Sequence, residues 1–553
     1  MGSIEELTEI INEYFEETYN DFLPDANNSH PILPPKPSKI IHDSLWGTNR
    51  FEWYEMAIID SPPIQRLRDI FQVGSASYVF PSATHNRFEH SLGTAIVATK
   101  VFDSLSLREA SKFGQIASDI DQKAGTETFF NKMRQELRLA GILHDSGHTL
   151  FSHTSEPSHH LLDLLKDSAQ ELTDLVAKER STGETISYCI AKTKFVQNIV
   201  RNYEKRIPTS QKSEYAKFEA DINEVALMII GKTKHKYTQF VADILTSGFD
   251  ADKLDYLLRD GISAGLPVKY DLDRYLEFVT IGNDLREIKV QEDVNSIKKL
   301  YNQDVSIGDQ WKEHRLRLPE NAINSMEQII IGKFMLFGYI YHHPKVRAMD
   351  SYIDRTLRQV ILRFKGKDIS EKRILKWLLG LTDSTFRSLP KFKSEIQNND
   401  LYNTQLIDCA YRLETRTLPR EVFSVNGSSV SDTTRDQVIE FFVKLQDQDN
   451  KAQEIQRIEE KIKKELGGKD TDFWVDLPKP PSFEDVKKMM GKVQFFSIFP
   501  IDKWTEAYMH YTYKMRIFTF SENVDALKKA LSSSLPKILN IETKDVDDLM
   551  RKR

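Results

Sequence analysis

RLAGILHDSGHTLFSH, residues 138–153, opens as a helix and closes as a cluster of potential ligands. Leu139, Leu143 and the small residues Ala140 and Gly141 fit one face of a buried helix, and Gly147 is where that helix is expected to end. The adjacent pair His144-Asp145 is followed by His148 and His153. Imidazole and carboxylate are ligands for borderline or hard cations such as Zn, Fe, Mn or Mg. Taken alone, the stretch fits either a metal site or a helix end with surface histidines. The rest of the chain decides between them.

At 553 residues the chain has room for about two to four structural units and a large core. It is 40% hydrophobic and 29% charged, the balance of a soluble globular protein. A net charge of −6 gives no general basic character, so a polyanionic substrate has to be met by a local basic pocket, and long nucleic acid is disfavoured. Cys189 and Cys409 cannot build a disulfide framework, and no CxxC zinc motif exists, which points to a reducing, cytoplasmic compartment. No apolar run approaches the roughly 18 residues needed to span a membrane. The acidic start MGSIEELTEI carries neither a signal-peptide nor a myristoylation pattern.

Periodicity predicts a mainly α protein. Residues 1–37 read as a short amphipathic helix, with Ile4, Leu7, Ile10, Ile11, Tyr14 and Phe15 at helical spacing, and then a stiff proline-rich linker. Residues 38–350 form the expected core. Residues 351–470 read as a helical extension whose charged end, 446–470, is a solvated helix or linker. Residues 471–553 read as a small α/β lobe, with β-like runs at 493–498 (VQFFSI) and 514–520 (KMRIFTF) and a helix from about 523 to 533. Residues 103–135 and 160–240 are polar helical material without catalytic-looking clusters.

Within the core, Asp60-Ser61-Pro62-Pro63 predicts a helix start, with Ile64, Leu67, Ile70 and Phe71 on one face. In FPSATHNRFEHSLG, residues 80–93, His90 sits at the head of an apolar helix three residues after Arg87. The pair fits a metal ligand beside an anion-facing guanidinium, or a surface turn. In GFDADKLDYLLRDG, residues 248–261, Asp252-Lys253 offers a metal carboxylate next to a phosphate-binding ammonium, or simply a solvated helix. The apolar run 329–349 carries Lys333, Tyr341, His342, His343, Lys345 and Arg347, and fits a core helix with a polar end or a binding segment.

In order, His90, His144-Asp145 and Asp252 make the pattern H…HD…D, flanked by NRFEHSLG, ILHDSGHTLFSH and GFDADKLDYLLRD. Over about residues 39–347 the pattern resembles the HD-domain phosphohydrolase superfamily, and within it the deoxynucleoside triphosphate triphosphohydrolase (dNTPase) branch. The resemblance implies an HD-domain helical core with the small C-terminal lobe, and hydrolysis of a dNTP to deoxynucleoside and inorganic triphosphate. It implies a divalent metal (Fe, Mn, Zn, Ni or Mg) on His90, His144, Asp145 and Asp252, with Mg on the substrate triphosphate. His148 would position the nucleophile or move a proton, supported by the pair His153 and Glu156. Glu156 departs from the family's usual Asp.

By the same resemblance Arg87, Lys253, Tyr256 and Lys333 contact phosphates, and Gln72 and Asp260 bond the 3′-hydroxyl. Val73 packs under the sugar, Tyr341 stacks near it, and His342 stands near the base. Lys39, Asp60, Gln65 and Arg68 match positions that bind an activating guanine nucleotide in an animal member, although the same helix is scaffold in related proteins. GTP or a dNTP as activator, a homo-oligomer, and dNTP depletion against phage or virus complete what the likeness implies. Elementary chemistry agrees on the metal: two imidazoles and two carboxylates hold one divalent cation and leave positions for water and a phosphate oxygen. Other readings are an HD phosphodiesterase or nuclease acting on oligo- or cyclic nucleotides, and a nucleotide sensor without catalysis.

Overall fold

Apolar side chains recur at helical spacing along most of the chain, and the computed structural model gathers them into a mainly α protein with three small antiparallel sheets among the described residues. The structure describes residues 2–19, 22, 35–120, 125–392, 404–430, 432–446, 451–467, 472–478, 503, 514–522 and 524–551. These form two compact units. The first draws on Met1–Lys333 and Asp354–Asp408, the second on Phe334–Ile353, Cys409–Phe483 and Gln494–Arg553. Among the described residues no helix is long and apolar enough to cross a membrane.

At the centre of the first unit, helix Arg87–Arg108 lies between helices Thr126–Leu143 and Ala251–Ser263. Leu92, Ala95 and Ile96 from the first, Leu139, Ala140 and Leu143 from the second and Leu254 and Leu257 from the third are all buried. Removing these apolar faces from water is the dominant favourable term in holding the three together. Side-chain caps set where two of the helices start. Asn86 accepts the Glu89 N–H at 3.2 Å, and Asp250 accepts the Lys253 N–H at 2.8 Å. Such a cap contributes about 1 kcal/mol and satisfies an N–H group that the helix itself leaves unbonded.

The amphipathic start is helix Ser3–Thr18, and it belongs to the first unit rather than standing apart on a linker. Leu7, Ile11 and Phe15 are fully buried, Phe15 stacks on Phe195 at 5.5 Å, and Asn12 accepts the Phe195 N–H. Antiparallel strands β1 (Ser38–Asp43) and β2 (Gly47–Glu52) follow, and a second hairpin pairs β3 (Thr280–Glu287) with β4 (Gln310–Arg317). The helix predicted from Asp60 is shorter than its apolar spacing suggests. It is one turn, Pro62–Gln65, continued as a 3-10 turn, Arg66–Asp69. Beyond it the Phe71 N–H goes to Asp383 and Phe71 bridges to Asn86 in extended pairing, which takes the chain out of the helix.

In the second unit β5 (Arg420–Asn426), β6 (Phe473–Asp476) and β7 (Lys514–Thr519) form a sheet in the order β5-β7-β6. Helices Asp432–Gln446, Lys451–Glu465, Asp525–Leu539 and Thr543–Arg551 share its core. The charged run predicted as solvated helix or linker is a structural helix, because Ile458 and Ile462 are buried in that core while the charges face outward. The lobe accordingly takes strand β5 from before residue 471. The KMRIFTF run is β7 and the helix after it is Asp525–Leu539. VQFFSI lies outside the described residues, as does 31–34 of the proline-rich segment.

Candidate active site

Three helix ends bring the predicted metal ligands together. Arg87 and His90 occupy the first turn of helix Arg87–Arg108, both buried. Helix Thr126–Leu143 ends at its last apolar residue and hands over to a tight turn in which the Ser146 N–H bonds Leu143 O and the His148 N–H bonds Asp145 O. Asp252 sits in the first turn of helix Ala251–Ser263. The expected cap at Gly147 is a different device. Its φ is not left-handed, and a Cβ there would stand 2.3 Å from Gly183 O and 2.4 Å from Ser187 N. This glycine is required for close backbone approach.

His90 Nε2 lies 3.0 Å from Asp252 Oδ1 and 3.6 Å from Asp145 Oδ2, and His144 Nε2 lies 3.5 Å from Asp145 Oδ1 and 3.9 Å from Asp252 Oδ1. Two donors about 2.1 Å from one ion stand about 3.0 Å apart at octahedral angles and about 3.4 Å apart at tetrahedral ones. His90, His144 and Asp252 therefore offer three donors to a single divalent cation, with the Asp145 carboxylate beside them. His90, His144 and Asp252 converge most closely, while Asp145 Oδ2 also accepts from Arg87 NH1 at 2.5 Å.

The tautomers fit too. His144 Nδ1 faces Gly141 O at 2.8 Å, and a carbonyl can only accept, so Nδ1 carries the proton and the Nε2 lone pair points into the site. His90 Nδ1 faces Asp255 Oδ2 at 2.7 Å with the same consequence. Such a partner orients a ligating histidine and raises its basicity. Asp255 is fully buried and also accepts from Arg259 Nε and NH2, each at 2.8 Å, and from Trp46 Nε1 at 2.5 Å. Arg259 in turn reaches Asp43 at 2.9 Å. Burial would raise the Asp255 carboxyl, but Arg259 and His90 hold it down to about 2. Burial opposes charge on His90, yet Asp252, Asp255 and Asp145 pull its pKa up to about 10. Without an ion the cluster is rich enough in negative charge to hold a proton that a divalent cation would displace.

The second group of predicted residues adjoins the first. His148 Nδ1 lies 3.2 Å from Asp145 Oδ1, and its Nε2 lies 3.4 Å from Glu156 Oε1. Glu156 Oε2 faces Nδ1 of the exposed His153 at 3.2 Å. Burial and the Arg87 guanidinium lower the His148 pKa, leaving it neutral near pH 7 and able to accept a proton. Glu156 stays ionised: burial raises it, and the charge and hydrogen bond of His153 outweigh that. The turn between them is unusual, because Phe151 and Ser152 are left-handed at φ 51° and 55°. Ser152 Oγ accepts from Arg87 Nε at 2.7 Å and donates to Phe71 O, and the Phe151 N–H goes to Asp383 at 2.6 Å.

Lys253 reaches Asp250 Oδ2 at 2.6 Å and Ser247 O at 2.9 Å, so its charge is shared with a buried carboxylate. Tyr256 is half-buried three residues along the same helix. Asp260 meets a residue sequence reasoning passed over: His85 Nε2 lies 2.7 Å from Asp260 Oδ1, both buried. The Gln72 N–H bonds His85 O, Gln72 Oε1 is buried without a hydrogen-bond partner among the described residues, and Val73 is buried. Lys333 is half-buried on helix Ile323–Leu336. Tyr341 and His342 belong to the second unit, at the end of the π-turn Phe337–Tyr341, where His342 O accepts from Arg516 at 2.9 Å. The four residues matched to an activator form two exposed pairs: Lys39 with Asp60 at 2.8 Å, and Arg68 with Gln65 at 2.8 Å.

The model of the HD domain family matches residues 87–230, the span from Arg87 past the His144-Asp145 turn. That span is similar to the HD domain. Around it, the chain is similar to the deoxynucleoside triphosphate triphosphohydrolase SAMHD1 homolog of Dictyostelium discoideum, 31% identical over 252 residues, covering 45% of this chain and 41% of that protein. The deoxynucleoside triphosphate triphosphohydrolase SAMHD1 of Bos taurus is 28% identical over 250 residues, covering 44% and 38%. The chain spans about half the length of the curated relatives it matches. In fold it resembles the crystal structure of a hypothetical protein from Aquifex aeolicus, with a TM-score of 0.51 and 18% identity over 89% of this chain and all of that one. The matched span thus holds His90, His144, Asp145 and the residues 148–156, while Asp252 comes from the helix beyond it.

Proposed function

We propose that the protein is a metal-dependent dNTP triphosphohydrolase, converting a dNTP and water to a deoxynucleoside and inorganic triphosphate. The observation that supports this most directly is the convergence of His90, His144, Asp145 and Asp252 at ion-binding distances, beside a buried neutral histidine. The names of the relatives supply the substrate. A divalent cation bound there supplies positive charge against the phosphoryl oxygens.

The chain's own residues do the rest. Water attacks the α-phosphorus and the bond from phosphorus to the 5′-oxygen breaks. His148, oriented by Asp145 through Nδ1, positions the attacking water and takes its proton on Nε2. Glu156 and His153 pass the proton toward the departing 5′-oxygen. Arg87, Lys253, Tyr256 and Lys333 are assigned to phosphates, which a triphosphate of about four negative charges requires in an acidic protein. His85 orients Asp260, which with Gln72 is assigned to the 3′-hydroxyl over Val73. Tyr341 and His342 are assigned to sugar and base by the resemblance alone. The same reading includes activation by GTP or a dNTP at Lys39, Asp60, Gln65 and Arg68, a homo-oligomer, and cytoplasmic dNTP depletion against phage or virus.

The test is hydrolysis of each of the four dNTPs with Mn or Mg, with and without GTP, the products being resolved by ion exchange. Deoxynucleoside and triphosphate in equal amounts are expected. Monophosphates or shortened oligonucleotides would transfer the site to phosphodiester chemistry. Bound metal with no turnover would make the protein a sensor.

A further inference from the structure

Helix Thr182–Lys192 starts at a capping box between Ser181 and Glu184, and Gly183 lies in its first turn, buried against the second group of site residues. A Cβ on Gly183 would stand 2.5 Å from Glu156 Oε1 and 3.0 Å from His148 Nε2. Nothing about the backbone asks for glycine there, since its φ is not left-handed, and helix propensity favours alanine. Space is what requires it. The helix cannot retreat to make room elsewhere, because Gly147 packs against Gly183 O and donates its N–H to Ser187 Oγ at 2.8 Å. An added methyl must therefore move the more flexible neighbour, the Glu156 carboxylate. That carboxylate is the group placed 3.4 Å from His148 and 3.2 Å from His153.

We infer that Gly183 is a positioning residue of the proposed reaction: by having no side chain it keeps clear the space in which the Glu156 carboxylate bridges His148 and His153. This rests on the dNTP triphosphohydrolase reading. The groups nearest to a methyl at Gly183 are Glu156 and His148 rather than the proposed metal ligands, so its effect runs through them to proton movement rather than through metal or substrate binding. The compensating change is on Glu156 itself, since Asp is shorter by one methylene, roughly 1.5 Å.

The test compares wild type, Gly183→Ala, Glu156→Asp and the double variant for kcat, KM for the dNTP and bound metal. Gly183→Ala is expected to lose about 10²-fold in kcat, the scale of a misplaced catalytic group, with KM and metal content at wild-type values. Glu156→Asp alone also loses activity, because its carboxylate no longer spans the gap. The double variant is expected to recover about tenfold over Gly183→Ala, the coupling expected of residues in contact. A wild-type kcat in Gly183→Ala overturns the inference, as does a loss confined to KM or metal, or a double variant no better than Gly183→Ala. A wild type that hydrolyses no dNTP overturns the reading itself, and the inference with it.

Discussion

Two histidine–carboxylate groups share one site but are built in opposite ways. The first, His90, His144, Asp145 and Asp252, is assembled from the ends of three helices that meet through a large apolar core. Its imidazoles are pinned from behind, one by a backbone carbonyl and one by a carboxylate itself held by Arg259 and Trp46. The second, His148, His153 and Glu156, comes from one stretch of chain, and two left-handed non-glycine residues shape the turn within it. Its long-range ties run through Ser152, which bonds Arg87 and Phe71 O, and through Asp383, which accepts the N–H groups of Phe71 and Phe151. Ligands anchored from several directions suit holding an ion in fixed geometry. A short turn with an exposed His153 suits groups that take up and release a proton. The difference sets where each half should break.

The largest effect is expected from His144→Ala with Asp145→Ala, which removes the ion's anchors while leaving the helices intact. Turnover should fall by about 10⁴-fold or more, with metal lost by elemental analysis and circular dichroism unchanged. His153→Ala strikes the other group and should cost only about 10²-fold, with metal retained. If His153→Ala also lost its metal, the division into two groups would be wrong. Asp255→Asn tests the bracing alone. An amide has one accepting oxygen in place of the two that receive His90, Arg259 and Trp46, so metal affinity should weaken about 10- to 100-fold. Excess metal should restore most of the rate, and a loss that excess metal leaves in place would place Asp255 elsewhere in the chemistry.

The same contrast marks what could be seen in the sequence. The convergence of His90, His144, Asp145 and Asp252 was legible because these residues sit in strongly patterned words at helix starts and ends, where apolar spacing and caps are local signals. Asp255 could have been found the same way, three residues after Asp252 and four before Arg259, on one face of the helix. His85 lay inside THNRFEH, but without coordinates nothing tied it to Asp260, 175 residues away. Gly183 and Asp383 were out of reach. Both lie in segments without a cluster of reactive residues, and their roles come from packing and from backbone groups that carry no sequence letter. In the fold, periodicity found the helices but overextended the one after Pro62-Pro63, because the apolar spacing continues past the point where tertiary hydrogen bonds end the helix. The charged run before residue 470 misled in the other direction, since its dense charges of both signs hid the narrow stripe of Ile458 and Ile462.

The smallest expected effect probes the tie between the turn and the rest of the unit. Asp383 is 1% exposed, and burial pushes its carboxyl up to about 7 against the two N–H groups it accepts. Asp383→Ala leaves both N–H groups buried without that acceptor, and should destabilise the protein by about 1–3 kcal/mol. The pH dependence separates this from a simple loss of packing. In the unfolded chain an aspartate titrates near about 3.9, so between that value and 7 the folded state binds the extra proton. Stability from this group is therefore present at low pH and falls as pH rises through the folded value. Across pH 8 to 6 the wild type should gain up to about 1.4 kcal/mol per pH unit from this one proton. Asp383→Ala should lack that component, so the stability gap between the two proteins widens on acidification in a series of urea melts. A gap that stays constant over this range would mean Asp383 remains ionised in the fold. The turn carrying His153 would then be held by a buried negative charge, as rigidly braced as the metal ligands.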